Sequence, residues 1–148
     1  MQQNKTYRII IASKKINALL FILDIMPDKI QSFTDLNAWK EGHRLVLSIY
    51  HLTASFPQKE MYSIIDQMRR SASSITCNIA EGFSRRTKKD KSQFYFISLG
   101  SITELQNQLV ISRDLNYCSR EDFRKIAEHT IVVAKLLRGL LKSASSYV

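Results

Sequence analysis

The stretch "KEMYSIIDQMRRSASSITCNIAEG", residues 59–82, repeats apolar side chains every three or four positions. This spacing places them on one face of an α-helix. The apolar positions are Met61, Ile64, Ile65, Met68, Ala72, Ile75 and Ile79. Gly82 is a typical helix-ending residue. We therefore predict a helix from about Lys59 to Glu81 with one face in a helical core.

The other face of this predicted helix is small and polar. It contains Ser71, Ser73, Ser74, Thr76 and Asn78. Small side chains allow another backbone or another subunit to come close. Because the apolar face is already complete, we expect this second face to support association with another copy of the chain.

Three further segments show the same periodicity, at about residues 35–56, 87–115 and 119 to near the C-terminus. Four glycines and two prolines in 148 residues also favour helices over short strands. Short connections force successive helices to run antiparallel. We predict an all-α, antiparallel up-down-up-down four-helix bundle. The predicted N-caps are Thr34 or Asp35, Thr87 with Asp90, and Ser119 with Asp122.

Residues 1–32 lie outside this pattern, so we predict an N-terminal extension at 1–32 and a bundle at 33–148. Lys14, Lys15 and Asp24 interrupt the apolar run, which is too broken to span a membrane and lacks a signal-peptide cleavage site. The extension is either a short helix on the bundle or upstream sequence ahead of a natural start at Met26.

The charge balance favours an anionic partner. The chain has 22 Lys and Arg against 13 Asp and Glu, a formal net charge of +9. Such an excess raises the expectation of nucleic acid but also serves solubility. Cys77 and Cys118 form no CxxC pair, so we expect a reduced, cytoplasmic protein. Because the apolar run of the extension is too broken to span a membrane, we expect no membrane association.

The basic residues concentrate in "SRRTKKDK", residues 84–91, between the second and third predicted helices. Two hypotheses fit: a solvated corner, or a phosphate-binding corner that uses the N–H groups of the following helix start. We favour the second. The candidate nucleic-acid-binding residues are Arg85, Arg86, Lys88, Lys89 and Lys91.

A structural ion pair is predicted across the second and third helices. An antiparallel hairpin turning near residues 83–87 places Arg69 and Arg70 opposite residues 100–104. Glu104 lies in register with inward-facing positions, where an unpaired carboxylate is costly. We therefore expect Arg69 or Arg70 to pair with Glu104; the alternative is that all three are exposed.

No pattern of catalysis is present. The chain has no glycine-rich phosphate loop, GxSxG, HExxH or ExxH pair. His43 and His51 are eight residues apart, too far to share one metal ion. We expect a non-enzymatic protein with no catalytic residues, no metal and no cofactor. Trp39, Phe94 and Tyr95 could stack bases, but aromatic residues at helical spacing usually belong to the core.

The segments "DLNAWKEGHRLVLSIYHLTASFPQKE", "MRRSASSITCNIAEGFSRRTKKD" and "FYFISLGSITELQNQLVISRDLNY" resemble the four-helix bundle proteins of 23S ribosomal RNA intervening sequences, the S23 family. The likeness covers roughly residues 33–141. It implies a ring-like homopentamer with RNA binding and no enzymatic activity. Accessory proteins of diversity-generating retroelements are similar in fold, and there a basic pentamer engages nucleic acid and a reverse transcriptase. The chain departs from the family at Thr76, often a proline, and in its N-terminal extension.

Two functional hypotheses follow. The first is a nucleic-acid-binding homo-oligomer that holds RNA through phosphate contacts from the basic corner. The alternative is a non-enzymatic interaction module that binds an acidic protein partner or a reverse transcriptase. A steep salt dependence would favour the first.

Overall fold

Four α-helices make up most of the computed structural model, which describes residues 30–145. They are α1 (Asn37–Thr53), α2 (Asp66–Ser84), α3 (Lys88–Asp114) and α4 (Arg120–Ser145). Short helical turns at Phe33–Asp35, Gln58–Glu60 and Met61–Ile65 lead into α1 and α2. No strand occurs within the described range. The predicted all-α fold is confirmed; the predicted extension at residues 1–32 lies almost wholly outside the described residues.

The helix starts follow the predicted caps at two of the three places. The Thr87 hydroxyl accepts a hydrogen bond from the Asp90 N–H at 3.1 Å, and that of Ser119 accepts one from the Asp122 N–H at 3.0 Å. At the first helix the cap lies earlier than expected. Ser32 and Asp35 form a reciprocal capping box around the turn Phe33–Asp35, so α1 itself begins at Asn37.

The predicted stop at Gly82 is wrong, because α2 continues through it to Ser84. The glycine is needed there for close packing. A Cβ atom at Gly82 would lie 2.6 Å from Cε1 of Tyr95 on α3, which is shorter than a van der Waals contact. The start of this segment also differs, since Met61–Ile65 forms a π-helical turn with Ser63 outside helical geometry.

Ser71 and Ser74 of the small polar face of α2 pack against α3, whereas Thr76 lies beside Gly42 of α1. The Ser71 hydroxyl donates to Oε1 of Gln108 at 2.7 Å, the Ser74 and Ser101 hydroxyls lie 2.8 Å apart, and Ser98 donates to the Ile75 carbonyl at 2.9 Å. As the residue number rises along α2, the number of its partner on α3 falls, so the two helices are antiparallel. Ser71 and Ser74 therefore serve a contact within the chain.

The remaining neighbours close the bundle in chain order. Gln106 of α3 donates to Thr130 of α4 at 2.8 Å, and His129 of α4 hydrogen-bonds Glu41 of α1 at 3.0 Å. Each helix thus packs on the next, and α4 returns to α1, as in the predicted up-down-up-down order. The largest fully buried side chains in the described part are Leu45, Ile49, Thr53, Ile65, Met68, Ile75, Ile79, Ile102, Leu105, Leu109, Val133 and Leu137.

Candidate nucleic-acid interface

The basic run occupies the connection between α2 and α3 and the first turn of α3. Arg85 leaves α2 in an extended conformation, with φ −70° and ψ 146°. Thr87 then caps α3. Arg85, Arg86, Lys88 and Lys89 are exposed, and Lys91 is half-buried. The five predicted residues are therefore close together, but their side chains have different environments.

Arg85 is engaged within the chain. Its guanidinium pairs with the Glu81 carboxylate one turn earlier and lies over the Phe94 ring, 4.6 Å from the centroid. Glu81 lies near the C-terminal end of α2, where the helix dipole disfavours negative charge. Arg85 therefore compensates Glu81 and is only partly available to an external anion.

Lys91 is also engaged. Its ammonium group donates to the Phe83 carbonyl at 2.6 Å and approaches the Gly82 carbonyl at 3.4 Å. These carbonyls belong to the last turn of α2, where few backbone donors follow, and the Gly82 carbonyl also accepts from the Arg85 N–H at 3.3 Å. Lys91 therefore joins the start of α3 to the end of α2.

The side chains of Arg86 and Lys89 make no structural contact of the kind seen for Arg85 and Lys91. Neither side chain makes a hydrogen bond or ion pair within the described range, and both are exposed. Lys88 is exposed beside them. The part of the run that is best placed to meet an external anion is therefore centred on Arg86 and Lys89.

Three basic residues on α4 lie toward the same end of the bundle. Lys135, Arg138 and Lys142 are exposed and spaced at i, i+3 and i+7, so they share one face of the helix. Since α3 and α4 are antiparallel, the end of α4 lies beside the start of α3. The sequence analysis missed these residues, although their helical spacing was a signal that could have found them.

The charges of the bundle are segregated along its axis. The half nearest the α2–α3 connection comprises residues 30–45, 74–100 and 133–145, and it has ten Lys or Arg against four Asp or Glu. The other half, residues 46–73 and 101–132, has seven of each. The positive excess of the described chain therefore belongs entirely to one end, which we call the basic end.

The predicted ion pair between Glu104 and Arg69 or Arg70 is wrong. Arg69 donates to the Thr53 hydroxyl at 2.9 Å and lies over the Tyr50 ring, and Arg70 is 3.8 Å from Asp66. Glu104 is exposed and accepts a hydrogen bond from Gln108.

The register of α2 against α3 explains the error. Gln108, not Glu104, faces Ser71, so the two arginines lie about one turn beyond Glu104. The buried face of α3 passes through Leu105 and Gln108, which leaves Glu104 in solvent. No charge is buried there, and no partner is needed.

The aromatic residues considered for base stacking are mostly occupied. Trp39 stacks on His43 with centroids 5.0 Å apart, Phe94 lies under Arg85, and Tyr95 is buried. Burial raises the pKa of the Tyr95 hydroxyl above its ordinary value. Phe96, which was not considered, is 63% exposed near the basic end.

Residues 30–145 provide neither a cluster of metal ligands nor a membrane-spanning helix. In this range no three His, Cys, Asp or Glu side chains come together as ligands for a metal ion. None of the helices there combines the length and hydrophobicity needed to cross a membrane.

An antiparallel four-helix bundle with a basic end is the class of protein that these observations define. The chain belongs to the 23S rRNA-intervening sequence protein family, whose model matches residues 34–139. It is similar to a crystal structure from Bacteroides thetaiotaomicron VPI-5482, a protein of unknown function from the S23 ribosomal protein family. That likeness has a TM-score of 0.66 at 22% identity over 71% of this chain and 95% of the other, and it concerns the fold alone. No curated protein matches the chain.

Proposed function

We propose that this protein is a non-enzymatic, cytoplasmic RNA-binding protein that holds RNA by its phosphates at the basic end. The segregation of charge is the observation that carries the proposal. Phosphate contacts from Lys and Arg supply affinity without reading sequence, so a basic surface suits a sequence-tolerant binder.

We further propose that the protein acts as a homo-oligomer, and the family resemblance implies a pentamer. Copies arranged with their basic ends on one side would present a continuous cationic surface to one RNA. Light scattering at tens of micromolar should give a mass of several subunits. A monomer with intact helices would overturn this part of the proposal.

Charge reversal tests the binding surface. The double variant Arg86→Glu/Lys89→Glu changes two exposed residues without partners, while Arg85 and Lys91 keep their structural roles. RNA affinity should fall steeply, and the slope of log affinity against log salt should shrink by about 1.4 to 1.8 if both residues contact phosphate.

A matched control lies at the neutral half. Lys59→Glu/Arg120→Glu changes the net charge equally, and both positions are exposed. This control should retain wild-type RNA affinity and slope. If both variants bind RNA like the wild type, the basic end is not an RNA surface, and an acidic protein partner becomes the better candidate.

A further inference from the structure

Phe96 presents an exposed aromatic ring beside the basic residues of α3. The side chain is 63% exposed, and Lys89 lies seven residues earlier on the same helical face. One turn later comes Gly100, where an added Cβ would meet no atom within 4 Å. The ring and Lys89 therefore share an exposed face of α3.

Arg138 of α4 lies at the level of this ring. Gln106 and Thr130 are hydrogen-bonded, so stepping eight residues back on α3 and eight forward on α4 brings Ser98 level with Arg138. Arg138 lines a groove of about 130 Å³ between α3 and α4 together with Leu99 and Thr103. Phe96 lies just beyond the end of this groove, three residues before its lining residue Leu99.

Basic side chains predominate beside this groove, although Asp90 and Glu104 bound its α3 segment and Glu128 bounds its α4 segment. Residues 91–103 of α3 and 129–145 of α4 contain no Asp or Glu. Lys135 and Lys142 lie on the same face of α4 as Arg138, and Lys89 lies two turns before Phe96 on α3. A polyanion with exposed aromatic bases complements both features, whereas an apolar protein surface would complement only the ring.

We propose that Phe96 stacks on an unpaired base of single-stranded RNA while Lys89 and Arg138 contact the neighbouring phosphates. The inference rests on the proposed function and narrows its ligand to single strands. In a duplex the base faces are covered by stacking within the helix, so the ring could not reach them. Stacking tolerates any base, because every base has an aromatic face.

Phe96→Ala is the direct test, with Ile97→Ala as the matched control. Ile97 is 45% exposed but lies on the α2 side of α3. Binding is measured with fluorescent oligouridylate and with an RNA duplex of equal length. Phe96→Ala should weaken single-strand binding about ten- to hundredfold and leave duplex binding unchanged. Ile97→Ala should change neither.

A gain-of-signal variant gives a second readout. In Phe96→Trp, oligouridylate should quench fluorescence beyond the change seen for Trp39 in the wild type, and duplex RNA should not. Because residue 96 is exposed, both variants should keep the wild-type circular dichroism spectrum and thermal midpoint.

The outcomes separate this inference from the proposed function. If charge reversal at Arg86 and Lys89 weakens both RNAs while Phe96→Ala weakens neither, the stacking inference fails and the RNA-binding proposal stands. If charge reversal also has no effect, both fail. An altered subunit number in Phe96→Ala by light scattering would overturn the inference and assign the ring to a contact between copies.

Discussion

Lys89 and Lys91 are two positions apart but have different structural roles. Lys89 extends into solvent, whereas Lys91, two positions later, holds the carbonyls of Phe83 and Gly82 at the end of α2. The difference follows from the helical rotation of about 200° between the two positions. The number of basic residues in a segment is therefore a poor measure of how many can bind an external anion.

Lys91→Met should lower the free energy of unfolding by about 1 kcal/mol, because the α2 carbonyls lose their cationic donor while the apolar stem is kept. Lys89→Met should leave it nearly unchanged. Urea denaturation of the two variants measures the difference. Equal stabilities would show that the Lys91 contact contributes nothing.

Gly82→Ala should destabilise the bundle by about 1–3 kcal/mol, because the new Cβ meets the Tyr95 ring at 2.6 Å. Gly139→Ala is the control, since no atom lies within 4 Å of its Cβ position. There the better helix propensity of alanine should add up to about 1 kcal/mol. Thermal denaturation that ranks the two variants in the opposite order would contradict the packing argument.

Residue identity and spacing predicted part of the site. The grouping of Arg85, Arg86 and Lys88 at a corner follows from the gap between two periodic segments. The engagement of Arg85 with Glu81 and Phe94 could not be predicted, because it depends on which way the chain turns after Ser84. The same holds for Phe96, whose exposure depends on how α3 is rotated.

At the scale of elements, α2 and α3 are joined by hydroxyl and amide groups as well as by apolar contacts. Ser71, Ser98 and Gln108 are buried, and each has a hydrogen-bond partner on the facing helix. Buried polar groups that satisfy each other favour one register over its neighbours, because a shift leaves them unpaired.

Ser71→Ala should cost about 1–3 kcal/mol, since Oε1 of Gln108 would be left without its donor in a buried site. The double variant Ser71→Ala/Gln108→Leu should cost less than the sum of the two single variants. A double-mutant cycle by urea denaturation measures the coupling. Strict additivity would mean that the two side chains do not interact.

The contact between α1 and α4 predicts a pH dependence. The hydrogen bond from His129 holds the pKa of the Glu41 carboxyl below its ordinary value of 4.5. A depressed pKa stabilises the fold at pH values above the ordinary pKa, and this stabilisation is lost as the pH falls through the folded-state value.

Glu41→Gln should therefore cost about 0.5–1 kcal/mol near neutral pH, discounted because both side chains are partly exposed. The difference from the wild type should shrink below about pH 4. Glu128→Gln, which changes an exposed carboxylate on α4, is the control. If the difference in the free energy of unfolding between the wild type and Glu41→Gln does not depend on pH, this linkage is excluded.

Apolar periodicity predicted all four helices, and the predicted caps at Thr87 and Ser119 were correct. The register between α2 and α3 was wrong by about one turn at Glu104, because the sequence does not show how closely Gly82 and the serines let the helices approach. Register is a property of two surfaces in contact, so a pattern on one helix cannot define it.

At the scale of the whole molecule, residues 32–145 belong to one compact unit. The core residues of the described part lie between Leu36 and Ala144. We therefore predict that a variant without residues 1–25 keeps the helical content and a cooperative thermal transition of the full chain. Circular dichroism measures both. A large fall in the thermal midpoint would show that the extension contributes to the stability of the bundle.

Charge segregation also links assembly to binding. Any oligomer that brings several basic ends together must overcome their mutual repulsion, which mobile salt ions only partly screen. A bound polyanion removes this repulsion, so RNA would stabilise the assembly, and by thermodynamic reciprocity the assembly would bind RNA more tightly than a single subunit. The neutral half takes no part in this balance. The protein would thus behave as a molecule whose state of association reports whether a polyanion is present.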